Sequence, residues 1–254
     1  MLSYDILGPL RVSGRPGVCT PRARKIETLL SVLLAKNNQA VSAGYLIGEI
    51  WGDQAPARAS AALYVYVSQL RKLLRGTEET AESPLSTSQR GYLLRVSGDE
   101  LDADRFARLH DQGRALHADG SYDRAAHVLR VAVDLWRGPA FGGYLDSPDV
   151  RAYSSVLEER RLECLELLME TELAIGRHRE VVGQLAALAK EHTLRETFTE
   201  YLMTALARSN RRAEALETFA SARRNLVQQL GIEPGTSLRN LHRNILADEL
   251  SGVV

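Results

Sequence analysis

The sequence has little of what marks several large classes of protein. Its two cysteines, Cys19 and Cys164, lie far apart without metal-like spacing, which excludes a disulfide-rich scaffold and favours a reducing compartment. No apolar run reaches the roughly 18 residues that a membrane span requires, so no membrane partner is predicted. The N-terminus MLSYDILGPL lacks a basic stretch leading into an apolar one. We therefore expect a cytoplasmic protein without a secretory signal.

Signatures of catalysis and of cofactor binding are also missing. No GxxxxGK[ST] phosphate loop occurs, and the six histidines form no HExxH or comparable metal pattern. The glycine-rich segment GPAFGGYLD, residues 138–146, lacks the lysine and the spacing of a phosphate loop, and we interpret it as a connection between helices. The sequence thus predicts no enzyme, no metal site and no cofactor. Control by a small ligand stays open, although no pattern supports it.

Charge is unevenly distributed along a chain whose overall composition is ordinary. Apolar residues make up 44% and charged residues 25%, as in soluble globular proteins. The formal net charge is zero, but residues 1–98 hold 12 basic and 7 acidic residues, and residues 99–254 hold 20 and 25. A net charge of +5 on the first part suits the binding of phosphates. Chance variation between two surfaces would also explain this asymmetry.

The first part reads as strands, three helices and a hairpin. Apolar and polar residues alternate from Leu2 to Ile6, and residues 14–17 read as a turn. Helical periodicity follows Pro21, a short second helix begins after the capping residue Ser42, and a third runs from about 57 to 75. Residues 85–96 alternate as a hairpin with Arg90-Gly91 at or near its turn.

From residue 102 onward the pattern is helix after helix, with stop residues between the segments. The segments beginning at Gly176 and Asn210 resemble each other at a period of 34 residues, which is typical of tetratricopeptide-like helix pairs. A weaker copy begins at Gly120. The predicted fold is mostly α, with a winged helix-turn-helix in residues 1–98 and an all-α tetratricopeptide-like domain in residues 99–254. A generic helical array with glycine-capped turns is the alternative for this domain.

The third helix has the two faces of a DNA-reading helix. On a helical wheel, Leu63, Val67, Leu70 and Leu74 form an apolar stripe. The other side carries small, hydroxyl and basic residues, which suit a major groove and its phosphates. They are Arg58, Ala61, Tyr64, Val65, Ser68, Arg71, Lys72 and Arg75. An ordinary surface helix with basic residues near its C-terminus is the competing interpretation.

Two further elements strengthen the nucleic-acid interpretation. Ser88 and Arg90 lie at the tip of the hairpin that follows the third helix, where a wing reaches the DNA backbone or the minor groove. A second basic cluster, Arg22, Arg24 and Lys25, opens the first helix and is able to meet phosphates. Basic groups on three separate elements favour DNA binding more than a single patch does, although Arg90-Gly91 alone is also an ordinary turn pair.

Several segments resemble a known family. TPRARKIETLLSVLLAKN, VSAGYLIGEIWGDQAPARASAALYVYVSQLRKLLRG and STSQRGYLLRV resemble the OmpR-type winged helix-turn-helix of the Streptomyces antibiotic regulatory proteins. DLWRGPAFGGYLD, EERRLECLELLMETELAIGRHREVV and LVQQLGIEPGTSLRNLHRNIL resemble the bacterial transcriptional activation domain that follows it. The resemblance covers nearly the whole chain, and its C-terminal motif is quite specific.

This resemblance implies a transcriptional activator of a secondary-metabolite gene cluster. The implied partners are double-stranded promoter DNA with direct repeats, bound by a homodimer, and the RNA polymerase holoenzyme with its sigma factor. Ala61 and Tyr64 stand where related helices often carry Asn and Gln, which argues for a different operator. The alternative function is a helical-repeat protein–protein interaction module whose winged domain does not bind DNA.

Overall fold

Except for one two-residue strand, the helices and strands follow the order that the sequence predicts. The computed structural model describes residues 2–14, 17–21, 23–75, 83–97, 100–143 and 146–249. Its strands are β1 Ser3–Asp5, β2 Arg11–Gly14, β3 Gly17–Cys19, β4 Ala40–Val41, β5 Leu85–Ser88 and β6 Gly91–Leu94. Its α-helices are α1 Arg24–Ala35, α2 Ala43–Trp51, α3 Ala59–Arg75, α4 Asp102–Ala118, α5 Tyr122–Val133, α6 Pro148–Ala174, α7 His178–Glu191, α8 Glu196–Arg208, α9 Arg212–Leu230 and α10 Thr236–Ala247. The predicted fold class is confirmed.

The chain divides into two compact units that are not two halves of the sequence. The first unit comprises Met1–Leu109 and Val131–Leu162, and the second comprises His110–Arg130 and Glu163–Val254. The first unit therefore contains a segment from the C-terminal part of the chain. The sequence-based domain boundary after residue 98 does not coincide with this division and stays a prediction.

The N-terminal strands form an antiparallel meander in the order β1-β2-β3, with Tyr4 opposite Val12. Later residues of the first unit hold this sheet in place. The backbone N–H groups of Ile6 and Leu7 donate to the two carboxylate oxygens of Asp102, at 2.8 and 3.0 Å. The carbonyls of the same two residues accept from the N–H groups of Phe141 and Arg137. Residues 137–141 thereby satisfy backbone groups that the meander leaves unpaired.

Three helices and a second sheet form the core of the winged helix-turn-helix. The apolar side of α1, with Leu29, Leu30 and Leu33 fully buried, packs on α2 and α3. Ser42 caps α2 as predicted, because its side chain accepts from the N–H of Tyr45. The sheet has the order β4-β6-β5, so the two-residue strand β4 pairs with the hairpin. Strand β4 was not predicted from the sequence.

The second unit repeats one kind of turn at the positions where the sequence repeats. Gly120, Gly176 and Asn210 all have left-handed backbone, with φ of 75°, 88° and 63°. Each donates to the carbonyl three residues back, and the following residue donates to the carbonyl five residues back. This is the Schellman ending of a helix, which turns the chain into the next helix.

The irregular spacing of the three copies has a structural explanation. The turns at Gly176 and Asn210 are 34 residues apart, whereas Gly120 precedes Gly176 by a longer interval. The intervening residues Val131–Leu162 belong to the first unit, and all three turns belong to the second. The second unit is thus a helical array interrupted by a segment that folds with the winged helix-turn-helix. Within the array, α7 packs on α8, α8 packs on α9, and α10 packs on both α8 and α9.

Candidate nucleic-acid interface

Helix α3 buries the stripe that its sequence predicts. Leu63, Val67 and Leu70 are at most 1% exposed, and Leu74 is 2% exposed. Tyr66 borders the stripe and stacks on Trp51 of α2 at a centroid distance of 5.7 Å. Burial of four large aliphatic side chains contributes about 1.5–3 kcal/mol each and fixes the rotation of the helix about its axis. The opposite side of α3 is consequently directed away from the core.

That opposite side is open along its whole length. Tyr64 is 68% exposed and Val65 is 48% exposed, which leaves a large aromatic and a branched side chain without cover. The remaining exposed members of this face are Arg58, Ala61, Ser68, Lys72 and Arg75. An exposed tyrosine flanked by small and hydroxyl residues provides hydrogen-bonding groups at a surface that still permits close approach to base edges.

The hairpin of β5 and β6 follows α3 and has the form of a wing. Gln89 and Arg90 form its turn between Ser88 and Gly91, and Ser88 and Arg90 are both exposed. Gly91 has a φ of 130°, and a Cβ there would lie 2.0 Å from the carbonyl oxygen of Val41. Glycine is therefore required where β6 passes strand β4. The tip carries Arg90 away from the core, as the sequence predicts.

Arg71 connects α3 to this wing. Its Nε donates to the carbonyl of Leu85 at 3.0 Å, and its Nη2 donates to the Thr87 hydroxyl at 2.6 Å. The sequence predicts a contact between this guanidinium and DNA phosphates. Its two contacts with β5 fix the direction in which the wing leaves the end of α3, and the phosphate contact stays a prediction.

The basic cluster at the start of α1 also has partners within the protein. The guanidinium of Arg24 makes two hydrogen bonds of 2.6 Å to Asp146, which hold the pKa of that carboxyl below its ordinary value. Lys25 donates to the carbonyl of Ile50 and lies 5.9 Å from the ring centroid of Trp51. Arg22 lies outside the described residues. The structure thus directs Arg24 and Lys25 toward other parts of the first unit.

Further polar contacts join the winged helix-turn-helix to the start of α6. Asp149 accepts from Tyr45 and forms an ion pair of 2.8 Å with Lys36. Glu49 accepts from the hydroxyl of Ser147 and from the backbone N–H of Asp149. These contacts connect residues about 100 positions apart, so no local sequence pattern indicated them.

Four predicted cations stay available for an anionic ligand. The side chains of Arg58, Lys72, Arg75 and Arg90 are exposed, and none bonds to another residue of the ranges that the structure describes. Arg95, just after β6, is exposed in the same way but was not predicted from the sequence as a site residue. Its position between buried Leu94 and Val96 was the available signal, since alternation places it on the outer side of the hairpin. Basic groups on α3 and on the wing give the protein a surface suited to phosphates.

Comparison with known proteins agrees with this geometry. Residues 19–94 match the family described as transcriptional regulatory protein, C terminal, and residues 101–246 match the bacterial transcriptional activator domain. The regulatory protein DnrI of Streptomyces peucetius is 36% identical over 250 residues, which cover 96% of this chain and 92% of DnrI. The chain belongs to the Streptomyces antibiotic regulatory protein family. Members of this family are transcriptional regulators.

Other transcriptional regulators match over similar lengths of this chain. The transcriptional regulator RedD of Streptomyces coelicolor is 36% identical, over 98% of this chain and 71% of RedD. A solved structure of Mycobacterium tuberculosis EmbR, in complex with a low affinity phosphopeptide, superimposes with a TM-score of 0.90 at 31% identity. That match covers 98% of this chain and 65% of the EmbR chain. Among the described residues, no helix is both long and apolar enough to span a bilayer.

Proposed function

We propose that this protein is a sequence-specific transcriptional activator that binds promoter DNA through α3 and the wing. The observation that carries the proposal is the open face of α3, where Tyr64 is 68% exposed above a fully buried leucine stripe. A helix held by its core side and open on its other side is suited to the major groove. Membership in a family of transcriptional regulators supports the same function.

The proposal gives the candidate residues distinct roles. Ala61, Tyr64, Val65 and Ser68 face the base edges, because they occupy the exposed side of α3. Phosphate contacts belong to the cations without a partner among the described residues, Arg58, Lys72, Arg75 and Arg90. Ser88 lies beside Arg90 at the wing tip. Arg71 positions the wing. Arg24 and Lys25 hold neighbouring parts of the first unit, and Arg22 keeps its predicted role as a phosphate contact.

Family membership supports further details of this function: the genes controlled, the mode of DNA binding and the partner protein. The protein activates a secondary-metabolite gene cluster from the cytoplasm, where it is associated with the nucleoid. It binds direct repeats as side-by-side protomers and recruits RNA polymerase with its sigma factor. In functional terms, residues 1–98 read DNA and residues 99–254 contact the transcription machinery, and the limits of the two family matches support this division.

A mobility-shift assay with the full chain tests the DNA-binding function. The probes are the promoter region of a neighbouring gene cluster and a random duplex of equal length and base composition. We expect the wild type to bind the promoter more tightly than the random duplex. Tyr64→Ala should change which sequence is preferred, and Lys72→Ala should lower the affinity for both probes. Equal affinity for the two probes would refute sequence-specific binding. A footprint on the bound promoter then reports the repeat spacing and the number of protomers.

The repeated turns of the second unit favour the alternative function, an interaction module whose winged domain does not bind DNA. Helical arrays of this kind commonly present binding surfaces. The same assay separates the two functions, because the alternative predicts no shift of either duplex by the whole chain.

A further inference from the structure

Helices α9 and α10 leave an open groove of about 620 Å³ between them. This volume lies within the range of about 300–1,000 Å³ that ligand pockets occupy. The side chains of Phe219 and His242 form its floor, with stacked rings at a centroid distance of 3.9 Å and an interplanar angle of 12°. Both side chains are only half-buried, so the stacked rings are accessible from the groove.

Three guanidinium groups surround this aromatic floor. Arg223 follows Phe219 by one helical turn on α9, and Arg239 and Arg243 flank His242 on α10. Arg223 is held by two hydrogen bonds of 2.6 and 2.7 Å from its guanidinium to Glu233. The other two donate to uncharged groups, Arg239 to the Thr236 hydroxyl and Arg243 to the Asn240 side chain. In the described part of the chain, neither Arg239 nor Arg243 is hydrogen-bonded to a carboxylate. The charge of Arg239 nevertheless helps Arg223 to hold the pKa of the Glu233 carboxyl below its ordinary value.

The side of α9 that carries Phe219 and Arg223 continues as an apolar surface. Val227 lies one turn beyond Arg223 and is 43% exposed, and Leu230 lies a further turn on and is 52% exposed. Ile232, just after the helix, is 50% exposed. Three large aliphatic side chains with this exposure adjoin the basic groove. Clustered exposed apolar side chains rimmed by polar groups are typical of protein–protein contacts.

We propose that this surface, the α9–α10 groove with Val227, Leu230 and Ile232, binds a protein segment that carries both carboxylates and apolar side chains. The carboxylates meet Arg239 and Arg243, since guanidinium groups bind carboxylates with two parallel hydrogen bonds. The apolar side chains of the segment cover the aliphatic row and remove it from water.

Charge and surface chemistry favour a peptide segment over nucleic acid. Residues 99–254, which carry the groove, have 20 basic and 25 acidic residues. A net charge of −5 opposes the approach of a long polyphosphate, whereas a short segment feels mainly the local arginines. The aliphatic row also offers nothing to a phosphate backbone.

This inference deepens the partner contact that the proposed activator function requires and rests on that function for its biological role. Peptide binding is measured without DNA, so the failure of one proposal is distinguishable from the failure of the other. A protein that binds its promoter but not the peptide refutes the groove alone. A protein that binds the peptide but no DNA refutes the DNA-binding function alone.

The test uses the full chain and three short fluorescent peptides of equal length. The first contains Glu and Leu, the second replaces each Glu by Gln, and the third replaces each Leu by Ser. Fluorescence anisotropy reports binding. We expect the Glu–Leu peptide to bind, and both replacement peptides to bind about tenfold or more weakly, because each lacks one half of the interaction.

Variants locate the binding on the groove. Arg239→Glu with Arg243→Glu reverses both charges and should weaken binding of the Glu–Leu peptide about tenfold or more. The matched control is Arg124→Glu with Arg179→Glu, which makes the same charge change at exposed positions of α5 and α7 and should retain binding. Equal thermal unfolding of the two variants confirms that both are folded.

Three results would overturn the proposal. Equal binding of the Glu and Gln peptides removes the role of charge, and equal losses in both double variants remove the role of this groove. Displacement of the peptide by a random duplex, abolished by the groove variant alone, assigns the surface to nucleic acid instead.

Discussion

Two neighbouring residues of α3, Arg71 and Lys72, have opposite surroundings although both are basic. The Arg71 guanidinium is bonded to the hairpin at Leu85 and Thr87, whereas Lys72 is exposed and has no partner among the residues described. A cation that meets phosphate releases counterions, but a cation that holds a wing in place acts only through geometry. The two roles therefore differ in how binding responds to salt.

We expect Arg71→Gln and Lys72→Gln to separate these roles. Lys72→Gln should weaken binding to all duplexes and lower the slope of log affinity against log salt by about 1. Arg71→Gln should weaken binding while leaving that slope nearly unchanged, because the wing loses its direction and no phosphate contact disappears at α3. Binding measured across a series of salt concentrations distinguishes them.

A matched variant on the other side of the contact provides the control. Thr87→Val removes the hydroxyl that accepts from Arg71 and should reproduce part of the Arg71→Gln loss with the same salt slope as wild type. If Arg71→Gln lowers the slope as much as Lys72→Gln does, Arg71 contacts phosphate in the complex and the positioning role is wrong.

Asp102 makes the stability of the first unit depend on pH. Burial raises the pKa of its carboxyl from 3.8 to about 6, against the opposing effect of the N–H groups of Ile6 and Leu7. The folded state therefore binds a proton more tightly than the unfolded state does. The stabilisation from this group is complete below pH 3.8 and is lost as the pH rises through about 6.

Comparison of wild type with Asp102→Asn isolates this contribution from those of other carboxyl groups. The free energy of unfolding of wild type relative to the variant should be about 1 kcal/mol larger at pH 5 than at pH 7. Urea unfolding at the two pH values measures it. The variant should be less stable at both, because the amide NH₂ cannot accept from Leu7. A pH-independent difference would mean that Asp102 does not titrate in this range.

Residue roles were predictable where they depend on local periodicity and not where they depend on distant partners. The exposure of Tyr64 follows from the wheel of α3, since burial of the leucine stripe leaves only one side open. The pairing of Arg24 with Asp146 joins positions more than 100 residues apart, and nothing around Arg24 indicates it. A basic residue in sequence is thus a candidate cation, and only the fold shows whether its charge is already paired.

At the scale of elements, the turns of the second unit explain both the repeat and its imperfection. Three helices end in the same Schellman geometry at Gly120, Gly176 and Asn210, which is why similar residues recur there. A Schellman ending needs a left-handed residue, and glycine or asparagine supplies it. The sequence predicted these helix ends well because the requirement is local. It did not predict β4, whose two residues pair with the distant hairpin.

We expect one substitution to have opposite effects at two glycines of the second unit. Gly176→Ala forces alanine into a φ of 88° and should lower the free energy of unfolding by about 1 kcal/mol. Gly183→Ala lies within α7, exposed and with nothing near the added Cβ, and should raise it by about 0.5–1 kcal/mol. Thermal or urea unfolding measures both variants. Shifts of the same sign would contradict the left-handed turn.

At the scale of the whole molecule, the chain passes between its two units three times, near residues 109, 130 and 162. The first unit is therefore not a contiguous piece of sequence. Its N-terminal meander depends on Asp102 and on residues 137–141 for hydrogen bonds. A fragment containing only residues 1–98 lacks all of these partners.

Hydrogen exchange should reveal this dependence. In the full chain we expect the amides of Ile6 and Leu7 to exchange slowly, because Asp102 accepts from both and both residues are fully buried. In a fragment of residues 1–98 the same amides should exchange at least about tenfold faster, while the amides of α1 keep more of their protection. Equal protection of Ile6 and Leu7 in the two proteins would show that the meander is stable without residues 99–162.

The polar contacts between the winged helix-turn-helix and the start of α6 have a consequence for protein engineering. A chimaeric regulator made by exchanging residues 1–98 alone would set a foreign α1 and α2 against Asp146, Ser147 and Asp149, whose complementary groups are Arg24, Glu49, Lys36 and Tyr45. In such a chimaera these polar contacts would be mismatched. If the donor protein also contributes its equivalent of residues 131–162, both sides of these contacts come from the same protein and are preserved.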